Sequence, residues 1–205
     1  MSTIDFWYEF ASTYSYPAAT RLTDAATGAG VAVRWHPFLL GPIFAAQGLA
    51  TSPFNAYPVK GRYMWRDMQR ICARQGLAFR QPVPFPQVSL LAARTATALD
   101  DAARPAFTVA VYAAQFAYGR DISQPETLGD ILDRLGHDGQ AVMARASSQA
   151  VKASLRGATE EAQRLGIFGA PAFITADGEL FWGNDRLDEA LAWASNSAGP
   201  RPAAS

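Results

Sequence analysis

One cysteine, Cys72, in a chain of 205 residues excludes an internal disulfide, a Cys-x-x-Cys redox pair and a sulfur-rich metal site. With no disulfide to maintain, a reducing compartment is expected, by default the cytoplasm. The two histidines, His36 and His137, form no cluster with cysteines, so no zinc centre is expected. Charge of one sign is also missing: 18 basic residues balance 18 acidic ones, leaving no net field to draw in nucleic acid or an anionic membrane. No apolar run of membrane-spanning length occurs. The segment Met1 to Phe10 has two acidic residues and no basic n-region, unlike a secretory signal. A Gly-x-Gly-x-x-Gly after the first strand, a Walker loop and a repeat of 20–50 residues are all absent, which argues against a Rossmann site, a P-loop and a solenoid.

What is present suits a compact core. Apolar residues make up 49% and aromatics 12%, while charged residues, at 18%, fall below the usual share of roughly 25%. The length fits one enlarged domain or one domain with a large insertion. Ile4 to Phe10 reads as a strand rich in aromatics. Ala11 to Ser15 breaks it, and Pro17, Ala18, Leu22 and Ala25 mark a helix to about Gly28 or Gly30. Val31 to His36 reads as a second strand stopped by Pro37, completing a βαβ unit. Pro42, Pro53 and Pro58 interrupt the next stretch. From about Tyr63 the spacing turns helical, with Tyr63, Met64, Trp65, Met68, Ile71 and Cys72 on one face.

Pro82, Pro84 and Pro86 mark a loop. Helical patterns follow at about 88–99, 105–118, 127–135, 139–146 and 148–165. Ala172 to Thr175 and Leu180 to Trp182 form a hairpin about Asp177-Gly178, and a last helix carries Leu187, Leu191 and Trp193. The expected architecture is α/β: segments 1–42 and 166–196 form one domain of order βαβ…ββα, interrupted by a helical insertion at 43–165. A frayed tail is expected at 197–205.

The Ala11–Ser15 turn opens a helix, where free amides and the helix dipole favour an anion. Its Ser12, Thr13 and Ser15 either cap that helix or serve chemistry. No nearby base is evident to activate Ser12, so a hydrolase triad is disfavoured; a serine hydroxyl can still donate a hydrogen bond to a thiolate brought by a cofactor. Phe168-Gly169-Ala170-Pro171 precedes a strand, and its Ala-Pro bond is compatible with either isomer. Asn184, Asp185 and Arg186 sit at a strand-to-helix junction. They either clamp a zwitterion, with Asp185 on the ammonium, or form an Asx cap beside a solvated arginine. Lys60 alone reads as solvated, and Cys72 as an inert core thiol. Trp7, Tyr8, Tyr14, Phe38, Phe44, Phe54 and Trp65 suit either a core or the wall of an aromatic-ligand pocket.

In their joint order and spacing, the aromatic strand, Ser12-Thr13-Tyr14-Ser15-Tyr16, Pro58-Val59-Lys60-Gly61-Arg62-Tyr63-Met64, Phe168-Gly169-Ala170-Pro171 and Phe181-Trp182-Gly183-Asn184-Asp185-Arg186-Leu187 resemble the 2-hydroxychromene-2-carboxylate isomerase family. That family is close to kappa-class glutathione transferases and to the disulfide-oxidoreductase branch of thioredoxin-like proteins. The resemblance implies a thioredoxin-like domain interrupted by helices, binding glutathione in the cleft between them, usually in a homodimer. It implies Ser12 as the catalytic serine and Pro171 as a cis-proline whose neighbour Ala170 meets the cysteinyl part of glutathione. Asn184, Asp185 and Arg186 would hold the γ-glutamyl end, with Lys60 nearby. Two positions depart from the family pattern. Thr13 stands where proline commonly follows the serine, and Ala50, Thr51 and Asn55 compete for the place of a family asparagine.

The activity implied is reversible addition of the glutathione thiolate to an aromatic chromene carboxylate, with ring opening, bond rotation and elimination to trans-o-hydroxybenzylidenepyruvate. A kappa-like transferase or peroxidase, and a catalytically silent thioredoxin-like binding protein, are the alternative readings.

Overall fold

The computed structural model describes residues 2–49 and 51–196. The tail expected at 197–205, and Ala50, lie outside them. Strand β1 (Ser2–Tyr8) is central in a four-stranded sheet of order β2-β1-β3-β4. It pairs in parallel with β2 (Val31–Pro37) and antiparallel with β3 (Ala172–Thr175), which in turn pairs antiparallel with β4 (Leu180–Trp182). Helix α1 (Ser15–Gly28) is the crossover that a parallel β1–β2 pair requires.

Alternation along β1 assigns its two faces. Ile4, Phe6 and Tyr8 enter the main core, where Phe6 stacks on Phe173 at 5.3 Å and meets Trp35 edge-on at 4.9 Å. Trp7 turns to the opposite face, into a smaller core with Phe38, Ile43, Ala172 and Ile174. The pocket-wall option for Trp7, Tyr8 and Phe38 therefore fails: the sheet's period of two buries all three. Asp5, on the same face as Trp7, accepts a bidentate pair of hydrogen bonds from Arg34 (2.6 and 2.7 Å) and pairs with His36 Nε2 at 2.7 Å. His36 also stacks on Trp7 at 4.5 Å, so it serves the sheet.

Between β2 and β3 run α2 (Leu40–Ala46), α3 (Pro53–Ala56), α4 (Pro58–Gln75), α5 (Leu90–Ala98), α6 (Arg104–Phe116), α7 (Pro125–Arg134), α8 (Gly139–Ala146) and α9 (Gln149–Arg164). The single turn Asn184–Arg186 then leads into α10 (Leu187–Asn196). Pro53 and Pro58, read from sequence as interruptions, instead occupy the first turns of α3 and α4, where no amide hydrogen is needed. Helix α4 buries Met64, Met68, Ile71 and Cys72 at a spacing of three to four, leaving Tyr63 exposed. Gly61 admits the α3 backbone: a Cβ there would lie 2.5 Å from the Phe54 carbonyl oxygen. Trp193, expected on the apolar face of the last helix, is instead largely exposed while Leu187 and Leu191 are buried.

Sheet and helices share the main core. Tyr8 OH and Thr108 Oγ1 hydrogen-bond at 2.8 Å, Arg104 donates to the Trp35 carbonyl at 3.1 Å, and Tyr112 donates to the Glu9 carbonyl at 2.9 Å, so α6 is fastened to β1 and β2. Phe173→Ala removes the ring that stacks on Phe6, its cross-strand partner in the main core. It is expected to lower the unfolding free energy by about 3–5 kcal/mol, read from urea denaturation; a loss below ~1 kcal/mol would contradict the packing described.

Candidate functional site

A cleft of ≈ 1870 Å³ runs between the carboxyl end of β1 and the helices that follow β2. One wall carries Glu9, Ser12, Tyr14, Ala170 and Asn184; the other carries Phe54, Tyr63, Asp67, Phe85 and Ser89. The turn that presents Ser12 is built on main-chain bonds. Beyond Tyr8 the strand stops, and the Glu9 carbonyl accepts from the Ser12 amide at 2.9 Å and from the Tyr112 hydroxyl at 2.9 Å. Helix α1 begins after Tyr14, which makes no side-chain cap. Ser12 is therefore not spent on capping: its hydroxyl donates to the Ala170 carbonyl at 2.9 Å, across 158 residues of chain.

The Ala170–Pro171 peptide is cis. The Gly183 amide donates to the Pro171 carbonyl at 2.9 Å, so the prolyl loop and the 184–186 turn are tied together. Gly183 has φ of 116°, a conformation closed to ordinary side chains, and a Cβ on Gly169 would come within 2.5 Å of Trp182 Nε1. These two glycines set how closely the loop and the strand end approach. Asn184 is 5% exposed and its Oδ1 has no hydrogen-bond partner among the described residues. Its carbonyl takes Arg21 at 2.9 Å, and Arg21 also pairs with Asp188 at 2.6 Å. An orphaned, buried acceptor on a cleft wall is the fit expected of a site for an N–H or ammonium donor.

Lys60 stands on the cleft rim with its ammonium 4.9 Å from the Tyr57 ring. Asp185 and Arg186 also line the cleft and are exposed, Arg186 bonding Glu189 at 3.1 Å. Pro171 is buried behind Ala170 and does not line the cleft. Thr51 lines it, whereas Asn55 is exposed outside it and bonds Thr51 at 3.4 Å. Tyr14, Phe44 and Phe54 contribute to the wall as the pocket option required; Trp65 instead packs on Phe85 at 4.7 Å. Cys72 is a core thiol, its pKa pushed up to about 11 by burial. No group of three or more potential metal-ligating side chains gathers among the described residues.

Sequence reasoning missed Glu9, taken as the tail of an apolar strand. It is 4% exposed and lines the cleft three residues before Ser12. Its carboxyl accepts from the Ala11 amide at 2.9 Å and from the Ser89 hydroxyl, and no cation pairs with it among the described residues. Burial outweighs these two donors and pushes its pKa up to about 7. Across the cleft, Tyr14 donates to Asp67 at 3.1 Å, and burial and that carboxylate raise the phenol's pKa. The signal available in the sequence was a lone glutamate between two aromatic residues, a position that costs stability unless it is used.

Because folding raises the Glu9 pKa from 4.5 to about 7, the folded chain holds this proton more tightly than the unfolded one. The resulting stability is full below the unfolded pKa and is lost as pH rises through about 7, a swing of about 3 kcal/mol. Glu9→Gln removes the swing. Urea denaturation at pH 5 and pH 8 is expected to show the variant gaining on the parent by up to that amount at the higher pH; a difference independent of pH would contradict the burial of a titrating carboxyl.

Comparison with known proteins agrees with the fold described above. A family model described as the DSBA-like thioredoxin domain matches residues 3–192. The chain is 31% identical over 187 residues to a 2-hydroxychromene-2-carboxylate isomerase of Sphingobium xenophagum, spanning 91% of this chain and 94% of the relative. It is 25% identical over 205 residues to glutathione S-transferase kappa 2 of Caenorhabditis elegans, spanning 91% and 88%. A solved structure of a 2-hydroxychromene-2-carboxylate isomerase superposes with a TM-score of 0.85 at 26% identity, over 96% of each chain. With a central sheet, a serine turn meeting a prolyl loop and a helical insertion framing the cleft, the chain belongs to the DsbA-like thioredoxin family, in the branch of the 2-hydroxychromene-2-carboxylate isomerases.

Proposed function

We propose that this protein is a glutathione-dependent isomerase of the 2-hydroxychromene-2-carboxylate type, with Ser12 as the group that meets the sulfur. The observation that carries the reading is the Ser12 hydroxyl, free of any capping duty and bonded to the main chain of the prolyl loop at the bottom of a wide cleft. Glutathione supplies a thiol that adds reversibly to the conjugated double bond of the substrate, so that the bond can rotate before the thiol leaves again.

The chain's own residues support that chemistry in distinct ways. Ser12 exchanges its bond to the Ala170 carbonyl for one to the incoming sulfur, favouring the charged form of the thiol. Ala170 offers main-chain groups to the cysteinyl portion. The Asn184 Oδ1, buried without a partner, accepts from the γ-glutamyl ammonium, with Asp185 beside it adding negative charge and Arg186 facing the carboxylate. Lys60 adds positive charge at the rim. Tyr14, Phe54 and Phe85 form an apolar wall suited to an aromatic substrate and exclude water from the reacting atoms. A serine in this turn activates the sulfur without offering it a second one, so no mixed disulfide can trap the enzyme.

Ser12→Ala removes one hydrogen bond to a charged atom, worth about 1.5–3 kcal/mol, and is expected to lower kcat for isomerisation roughly 10- to 100-fold with an unchanged melting temperature. Full activity in that variant, or no calorimetric heat with millimolar glutathione in the parent, would overturn the proposal. Conjugation of an electrophilic chlorobenzene without isomerisation would move the reading to a kappa-type transferase. Asn184→Ala is expected to weaken glutathione binding on the order of tenfold or more while leaving kcat at saturating glutathione within a few-fold of the parent, measured by titration calorimetry and steady-state kinetics.

A further inference from the structure

The main chain of Glu9, rather than its carboxyl, makes its bonds to Ser12 and to α6. Its main-chain carbonyl anchors Ser12 and Tyr112, while its side chain receives only the Ala11 amide and the Ser89 hydroxyl. A buried carboxylate without a cation costs free energy that a neutral isostere would not. The groups facing it from the surrounding elements are few. The β1–α1 turn contributes the Ala11 amide, next in the chain to Ser12, and the segment before α5 contributes the Ser89 hydroxyl; α6 brings the Tyr112 phenol, held protonated by burial, into electrostatic range of the carboxyl while it donates to the Glu9 main-chain carbonyl. Four of the cleft's five cations are engaged elsewhere, Arg21 with Asp188, Arg70 with Asp67, Arg186 with Glu189 and Lys60 over Tyr57, and the fifth, Arg74 at the end of α4, makes no ion pair with Glu9.

An anion arriving at Ser12 therefore enters a wall that already contains one unpaired acidic group. Two like charges in one desolvated wall oppose each other, and the pair is stable with a single negative charge shared between them. We infer that Glu9 is the acceptor of the thiol proton when glutathione binds, so that the sulfur takes the negative charge and Glu9 becomes the neutral acid. The inference rests on the glutathione reading above. In the step, the S–H bond breaks, an O–H bond forms on the Glu9 carboxylate, and one negative charge passes from oxygen to sulfur. No proton goes to solvent, and reversal returns it when the thiol is restored. The same device explains why the carboxyl stays in the wall: it gives the proton a destination where bulk water is excluded.

This role leaves a signature in proton counting. Below the point where free Glu9 ionises, near pH 7, the carboxyl is already protonated and binding must discharge the thiol proton to solvent. Above it, Glu9 takes that proton. Titration of the protein with reduced glutathione in buffers of different ionisation enthalpy is the test, since it counts protons independently of turnover. In the parent the number released is expected to fall from about one to near zero as pH rises through the neutral range, well below the thiol's own pKa of about 8.5. In Glu9→Gln it is expected to stay near one until that higher pKa is approached. Ser89→Ala, which removes a donor favouring the carboxylate, is expected to move the parent's fall to higher pH and tests the idea even if the glutamine variant folds poorly. Identical counts in parent and variants with binding intact would overturn the proton transfer alone. Absence of glutathione binding in the parent would overturn the cofactor reading and this inference with it.

Discussion

Two loops 158 residues apart meet because β1 pairs with β3, and the site depends on that pairing. The register Trp7 to Ala172 brings the end of β1 level with the start of β3. The strands' continuations, Glu9 to Ser12 on one side and Gly169 to Pro171 on the other, leave the sheet together at that level. Their backbones no longer pair as strands there, so the Ser12 hydroxyl reaches the Ala170 carbonyl in place of a ladder bond. A one-residue slip of β3 would reverse the faces of Phe173 and Ile174, taking Phe173 from the main core to the smaller one. The aromatic packing that fixes the register therefore also fixes the distance between serine and prolyl loop. Core and site are specified by the same residues.

Electrostatics follow from this placement. The cleft has both signs of charge on its walls, and three of its five cations are matched to carboxylates: Arg21 to Asp188, Arg70 to Asp67 and Arg186 to Glu189. At the serine turn itself no such match exists: the nearest acid in sequence is Glu9, buried and neutral-leaning, and the groups around it are hydroxyls and amides. An anion held there gains from short hydrogen bonds in a low-dielectric wall rather than from an ion pair. Under the glutathione mechanism proposed above, that arrangement suits a sulfur that must be charged enough to add to a double bond yet free enough to leave it. A fixed cation would favour the first property at the expense of the second.

The fold was legible because its signals are local. Ile4 to Phe10, Val31 to His36 and Ala172 to Trp182 carry β-type residues, the last two runs bounded by Pro37 and Pro171, and the helical stretches from 88 to 165 show the expected period within two residues of the helices formed. Ser12, Ala170 and Asn184 were legible through motif order, and they do line one cleft. The rest was hidden for physical reasons. Pro53 and Pro58 look the same in sequence whether they end an element or start one; only the satisfied carbonyls of the following turn decide. Aromatics at 7, 8 and 38 are as suited to a core as to a pocket, and the pleat decides between them. Glu9 was hidden most deeply, because its burial comes from Ser89 and α6, contributed by residues 80 to 103 positions away.

The helices between β2 and β3 thus supply more than an opposite wall. Two hydrogen bonds join the thioredoxin side of the cleft to the helical side at different depths: Ser89 to Glu9 beside the serine turn, and Tyr14 to Asp67 nearer the rim. Through the first, the helical part tunes how readily the buried carboxyl ionises. Through the second, it sets the position of the Tyr14 ring, which lines the cleft and tilts over Phe54 at 6.2 Å. Under the proposed function, the insertion thus acts on both the aromatic wall and the serine turn, through Asp67 and Ser89, neither of which lies in the sheet. Changes in α4 reshape the cleft wall, whereas any change that displaces Ser89 also removes a donor to the Glu9 carboxyl at the serine turn. On that reading, specificity is coupled to reactivity near Ser89, which bonds Glu9, and separate from it near Tyr63 and Phe54, which have no bond to Glu9.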